Sequence, residues 1–203
     1  MKTTALVISA LVDALARHDP HSLSELQQQY PQHAEILRPG KRLGNVSYDS
    51  QMLVDLGSKA IEVAKTQALR AQDFLNRRIR RTMQIRLASN IFSAVSAAGV
   101  FGAVLTSQRA VSIATAIVGF CCSTIGLVAQ YLEGFSGGNG NSLRGLREQL
   151  GQIAFEIAET EGEFRLLIAQ NSFDNNLVSL VQRANTLVAR LRQAEVLAGL
   201  DID

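Results

Sequence analysis

The sequence predicts an all-α protein: a two-helix transmembrane hairpin with long amphipathic cytoplasmic helices that form a bundle or a coiled coil. Three observations predict it. The only prolines in the 203-residue chain are Pro20, Pro31 and Pro39, so the last 164 residues contain none. Proline breaks helix interiors and favours turns, and so long a run without it favours extended helices over a loop-rich β fold. Apolar residues recur at intervals of three and four on both sides of the chain's centre, the period of one helix face. The 38 charged residues are also unevenly placed: the 46 residues from Leu87 to Leu132 hold only Arg109, where an even spread would put about nine.

Composition removes several classes. A hydrophobic content of 47% with a net charge of only +2 argues against disorder and against a strongly nucleic-acid-seeking chain, so no specific nucleic acid partner is expected. Cys121 and Cys122 are adjacent in the charge-poor stretch and cannot build a disulfide framework.

The elements follow in order. Residues 1–48 read as a small N-terminal helical region. Met1 to Ala16 imitates a signal peptide, but Asp13 interrupts it. Leu6, Val7, Ala10, Leu11, Ala14 and Leu15 instead mark one face of a helix from about Thr4 to Arg17. Asp19-Pro20 breaks that helix. Ser22 and Glu25 have capping-box spacing, which predicts a second helix starting at Leu23 and ending before Pro31. Arg38 to Tyr48 carries turn chemistry.

Residues 49–86 predict a long amphipathic helix with a basic end. Asp49 or Ser50 caps it, and Leu53, Leu56, Ala60, Val63, Ala64, Ala68, Ala71 and Leu75 form its apolar stripe. Nothing stops it before Arg86. Residues 133–141 are a Gly/Asn-rich loop. Residues 142–203 predict a C-terminal helical hairpin or coiled coil. Leu143, Leu146, Leu150, Ile153, Ile157, Thr160, Phe164 and Leu167 alternate spacings of three and four, the pattern of a coiled-coil seam. Leu177, Leu180, Ala184, Leu187, Leu191 and Ala194 repeat it beyond an Asn-rich turn. The short connection favours antiparallel packing within the chain, and an intermolecular seam holding a homo-oligomer is the other use.

Residues 87–132 predict the hairpin. Arg109 divides them into Leu87–Gln108 and Ala110–Leu132, 22 and 23 residues. A helix of that length spans roughly 33 Å, against a hydrocarbon core of about 30 Å. Arg77, Arg78, Arg80, Arg81 and Arg86 precede the first span, and Arg144 and Arg147 follow the second. Basic flanks are retained in the cytoplasm, so both termini are expected there and the tip outside, with the protein in the inner membrane. Small residues let membrane helices approach. Ala94, Ala98 and Gly102 form one such ladder, and Thr115, Gly119 and Ser123 another. Ser89, Ser93 and Ala97 form a further stripe, for helix contact or pore lining. The opposing possibility is a hairpin buried inside a soluble bundle, but few residues remain to cover it.

No catalytic constellation is present, and no cofactor is expected. His18, Asp19, His21 and His33 lack helical metal-ligand spacing. Gly137-Gly138-Asn139-Gly140 has no preceding strand and no lysine, so it reads as a linker.

An amphipathic helix ending in Asn76-Arg77-Arg78-Ile79-Arg80-Arg81, a tight two-span hairpin and a long helix after it resemble the SLATT class. Its members are prokaryotic two-transmembrane effector domains of conflict systems. The resemblance covers about Asp49 to Gln170 and rests on architecture and hydropathy. It implies a membrane effector that oligomerises and permeabilises or disrupts the inner membrane in antiphage or other defence, with a lipid bilayer, further copies and a sensor or regulatory protein as partners. It implies no catalytic residues. Two other readings fit the layout: a secretion-system translocator or pore-forming toxin delivered to a target membrane, and a non-toxic membrane-anchored scaffold.

Overall fold

The computed structural model describes residues 7–40, 49–105, 109–134, 143–170 and 176–200; for 99–105, 109–112 and 129–134 it describes the backbone alone. Among the described residues the protein is all-helical, with no strand. The order is α1 (Ser9–His18), α2 (Pro20–Gln29), a 3-10 turn (Pro31–His33), α3 (Ser50–Leu105), α4 (Arg109–Gly134), α5 (Leu143–Gln170) and α6 (Asn176–Ala198). The hairpin tip expected at Thr106–Gln108, the loop from Phe135 to Asn141 and the Asn-rich turn at 171–175 lie outside the described residues.

The chain divides into two compact units. Unit 1 is Met1–Gln72, Glu148–Val196 and Leu200–Asp203; unit 2 is Asp73–Arg147 and Leu197–Gly199. The division falls inside α3 and inside α5, not at Tyr48, Arg86 or Leu132. The small helical region expected over residues 1–48 belongs to unit 1. Its apolar face has no core of its own and finds one on α3 and α6.

In unit 1, α1 buries Leu11 and Leu15 of the predicted face with Val12 beside them, while Ala10 and Ala14 are half-buried and Val7, before the helix, is exposed. Its N-cap, Ile8, offers no side-chain acceptor, yet the first N–H groups of a helix have no partner within it. Asn185 of α6 supplies one: its Oδ1 accepts from the backbone N–H of Ala10 at 2.9 Å and of Leu11 at 3.4 Å. Asn185→Ala should therefore cost about 1–2 kcal/mol of unit 1 stability. Urea denaturation measures it, and an unchanged midpoint would show that the bond carries no weight.

The start of α2 differs from the expected one. The helix begins at Pro20, and Asp19 caps it by accepting from the Ser22 N–H. Proline fits the first helical position because its missing N–H needs no partner there. This cap takes precedence over the Ser22–Glu25 box, and Glu25 turns outward to Lys59 of α3, Nζ to Oε2 at 2.8 Å. Tyr30, buried at the end of α2, donates its hydroxyl to Asp55 Oδ2 at 2.7 Å. Burial, then that carboxylate, pushes the phenol well above its ordinary pKa.

As expected, α3 starts at Ser50 under an Asp49 cap, whose Oδ1 accepts from the Gln51 N–H at 3.0 Å. It runs without interruption for 56 residues into the charge-poor stretch. Leu53, Leu56, Ala60, Ala64, Ala68, Ala71 and Leu75 are buried. Gly57 sits on the same face for a steric reason. A Cβ there would stand 2.6 Å from Cε1 of Phe164 on α5, closer than real side chains come, so the ring packs directly on the α3 backbone.

Both α3 and α6 run antiparallel to α5 in unit 1. Lys65 Nζ meets Glu161 Oε2 at 2.7 Å, and Gln72 Nε2 donates to the Leu150 carbonyl at 3.3 Å. Arg183 pairs with Glu159 and Glu163, and Arg190 with Glu156. Exposed pairs of this kind contribute little each. What they fix is register, while Leu150, Ile157 and Phe164, fully buried, supply the larger apolar term of about 1.5–3 kcal/mol per side chain.

Unit 2 is built on the rest of α3 and on α4, which pack antiparallel. Ser89 Oγ donates to the Cys122 carbonyl, and the Ser93 and Ser123 hydroxyls lie 2.9 Å apart. A Cβ added at Gly119 would lie 3.0 Å from Ser96 Cβ, and one at Gly126 2.9 Å from Ser89 Oγ. The two backbones come this close because serines of α3 face glycines of α4 across the contact.

Candidate functional site

The hairpin is assembled inside out. Ser89 and Ser96 are buried against α4, while large apolar side chains face outward: Leu87, Ile91, Phe92 and Val95 on α3, and Ile113, Ile117, Val118, Phe120, Ile125, Leu127 and Val128 on α4. Phe120 is 74% exposed. Scattered exposed apolar residues are ordinary, whereas a continuous surface of them marks contact with something apolar.

Ser89, Ser93, Gly119 and Ser123 thus meet at the helix contact. Thr115 is half-buried. Ala94 and Ala98 are exposed, away from the contact with α4: the face with hydroxyls turns inward, where Ser89 and Ser93 find partners. For Gly102 only the backbone is described. Among the described residues no helix is long and apolar enough to cross a membrane. The described side chains cover 87–98 and 113–128 of the two charge-free runs.

Arg77, Arg78, Arg80, Arg81 and Arg86 are all exposed. One of them also has a structural use: Arg78 Nη1 donates to the Ala198 carbonyl at 3.2 Å. A cation at the last carbonyls of a helix suits the negative end of its dipole.

The expected oligomer seam is occupied within the chain. Leu143, Leu146, Leu150, Ile153, Ile157 and Phe164 are buried, and Leu167 is half-buried. Thr160 is buried too, its hydroxyl donating to the Glu156 carbonyl at 2.7 Å. The antiparallel packing of α5 with α6 and α3 uses this face, so it offers no ready surface to a second copy.

Sequence reading missed two residues of α6 in unit 1, Asn185 and Glu195. They belong to a second stripe, Val181, Asn185, Val188, Arg192 and Glu195, with spacings of four and three. The polar residues in it masked its period. Glu195 is 7% exposed and has Arg192 Nη1 at 3.9 Å. Burial raises its carboxyl pKa, against the pull of Arg192 and Arg17. Nearby, His18 is pushed below its ordinary value, first by burial and then by Arg17, Arg192 and Arg70.

The sign for Glu195 is definite. A raised folded-state pKa means that its contribution is fully present below the ordinary value of 4.5 and lost as pH rises through the folded value. Glu195→Gln should thus match the parent near pH 4 and become progressively more stable than it towards pH 8. Denaturation curves at several pH values test this, and a pH-independent gap would refute it.

Among the described residues no group of three or more His, Cys, Asp or Glu could hold a metal ion. Cys121 is exposed and Cys122 half-buried, and neither is in a disulfide. The fold and its surface define a helical bundle continued by an apolar two-helix hairpin. Comparison with protein-family models, curated proteins and solved structures finds no match to the chain.

Proposed function

We propose that the chain is a membrane effector whose hairpin, Leu87 to Leu132, enters the inner membrane and, in an oligomer, permeabilises it as part of a conflict defence. The observation that carries this reading is the inverted polarity of the hairpin, with serine and glycine inside and Phe, Ile, Leu and Val outside. Lipid tails cover such a surface at no cost, and water does not. The exposed arginines from Arg77 to Arg86 stand where headgroup phosphates and a cytoplasmic location favour them. Both termini then lie in the cytoplasm.

Inducible expression with a dye-permeability assay tests the effector activity: dye entry that follows induction supports it. For topology, Cys121 and Cys122 are replaced and single cysteines placed at Gln108 and Ser142. Labelling from outside should reach position 108 alone, and labelling at 142 would overturn the orientation.

A second reading is a membrane-anchored scaffold. It is favoured by the burial of the α5 seam within its own chain, which leaves that seam unavailable for assembly. Normal growth without dye entry, in cells where the protein resists carbonate extraction, would select it.

A further inference from the structure

Helix α5 carries a second seam on the side turned away from the core of unit 1. Glu148, Gly151, Phe155, Ala158, Gly162 and Arg165 follow one another at spacings of three, four, three, four and three, the rhythm of a helix-pairing seam. Gly151 is half-buried and the other five are exposed. Phe155 is 72% exposed.

The two glycines have no packing reason within their own chain. Glycine weakens a helix interior relative to alanine. At Gly57 the Phe164 ring fills the space a Cβ would take. A Cβ at Gly151 or at Gly162 would meet nothing within 4 Å.

The order of residues along the seam points to its occupant. Read from either end it runs charge, glycine, apolar, apolar, glycine, opposite charge. In an antiparallel pair of such helices each position meets its mirror position on the other helix, and a two-fold axis makes every contact occur twice. A second copy of α5, turned end for end about a point between Glu156 and Ile157, sets Phe155 against the second copy's Ala158 and Gly151 against its Gly162. Helical side chains lean towards the N-terminus, so a ring at position 155 covers the layer where the two glycines leave room. Glu148 then faces the second copy's Arg165. Arg165 already pairs with Glu161 of its own helix, which also takes Lys65 of α3. A guanidinium carries five N–H donors, so that pairing leaves it donors for a second carboxylate. A parallel pair would instead bring equal positions together, Glu148 on Glu148 and Arg165 on Arg165, with like charges opposed.

We propose that this outer face of α5 docks antiparallel on the same face of a second copy, forming a symmetric dimer. Glu148 to Arg165 lie within unit 1 and leave the buried seam intact. Dimerisation therefore needs neither an opened bundle nor entry of the hairpin into a bilayer.

The test protein is the full chain in detergent, with Cys121 and Cys122 replaced by alanine. Gly151→Cys and Gly162→Cys are made in separate chains and treated with a mild oxidant. An equal mixture should give a disulfide-linked dimer, and neither chain alone should. Self-linking of either chain would overturn the antiparallel arrangement, and no linking in any sample would overturn the docking. Sedimentation then measures association without a cross-link. Glu148→Arg and Arg165→Glu should each weaken the dimer about tenfold or more, since each turns two attractions into two repulsions. The double variant, with the charges exchanged, should restore it; failure to restore it would overturn the register. Gly162→Leu puts a better helix former at an exposed position and should leave a monomer. Undiminished association in that variant would overturn this face as the contact. A dimer that passes these tests in a chain that lets no dye into cells would stand, and the effector reading alone would fail.

Discussion

Phe120→Arg is expected to release the chain from carbonate-washed membranes. Among the described residues of the hairpin Phe120 is the most exposed large apolar one, near the middle of Ala110–Leu132. At the centre of a spanning helix arginine is less favourable than phenylalanine by about 3–4 kcal/mol, a shift of a hundredfold or more in insertion. Phe155→Arg is the control. Phe155 is as exposed as Phe120 but belongs to α5 in unit 1, and its replacement should leave extraction unchanged. Were the Phe120 variant to stay in the pellet like the parent, the outer face of the hairpin would be covered by something other than lipid.

The second large effect concerns Gly57 and Phe164. Phe164→Ala should cost about 3–5 kcal/mol, the usual range for deleting a fully buried ring. Gly57→Ala should cost about 1–3 kcal/mol in the parent, because the new methyl group overlaps that ring. In the Phe164→Ala background the same change should become neutral or stabilising by up to about 1 kcal/mol, since alanine is the better helix former once the overlap is gone. Urea denaturation of the four proteins completes the cycle. Additive costs would mean that ring and glycine do not oppose each other. The same core makes Leu150→Asp and Ile157→Asp mutations of folding, since a carboxylate at either position enters a fully buried site.

The periodic parts of this fold were legible in the sequence. The stripe from Leu53 to Leu75 and the two seams of α5 and α6 bury the residues their spacing selects, Val63 and Leu167 only in part, because one apolar face per helix is all the periodicity requires. Legibility failed where two local signals competed or where the partner is distant. Asp19-Pro20 and Ser22–Glu25 both signal a helix start, and proline's fixed φ favours the earlier one. Two ladders of small residues ran along the first half of the hairpin, and hydrogen bonding across the contact separates Ser89 and Ser93 from Ala94 and Ala98. The seam at Leu143–Leu167 showed its period but not its occupant. Asn185 and Glu195 lie on a stripe whose period their polarity masked, and Asn185 acts on α1, 175 positions away.

The bond from Asn185 to α1 also orders events in time. Residues 10 and 185 are 175 positions apart, so α1 is capped by a segment synthesised long after it. At roughly 5–20 residues per second, the segment from Leu87 to Leu132 has been made for seconds before residue 185 is. During that interval unit 1 lacks α6 and cannot close, while the apolar hairpin is already complete. The apolar segment is thus available to any apolar surface for seconds before the bundle of unit 1 can form.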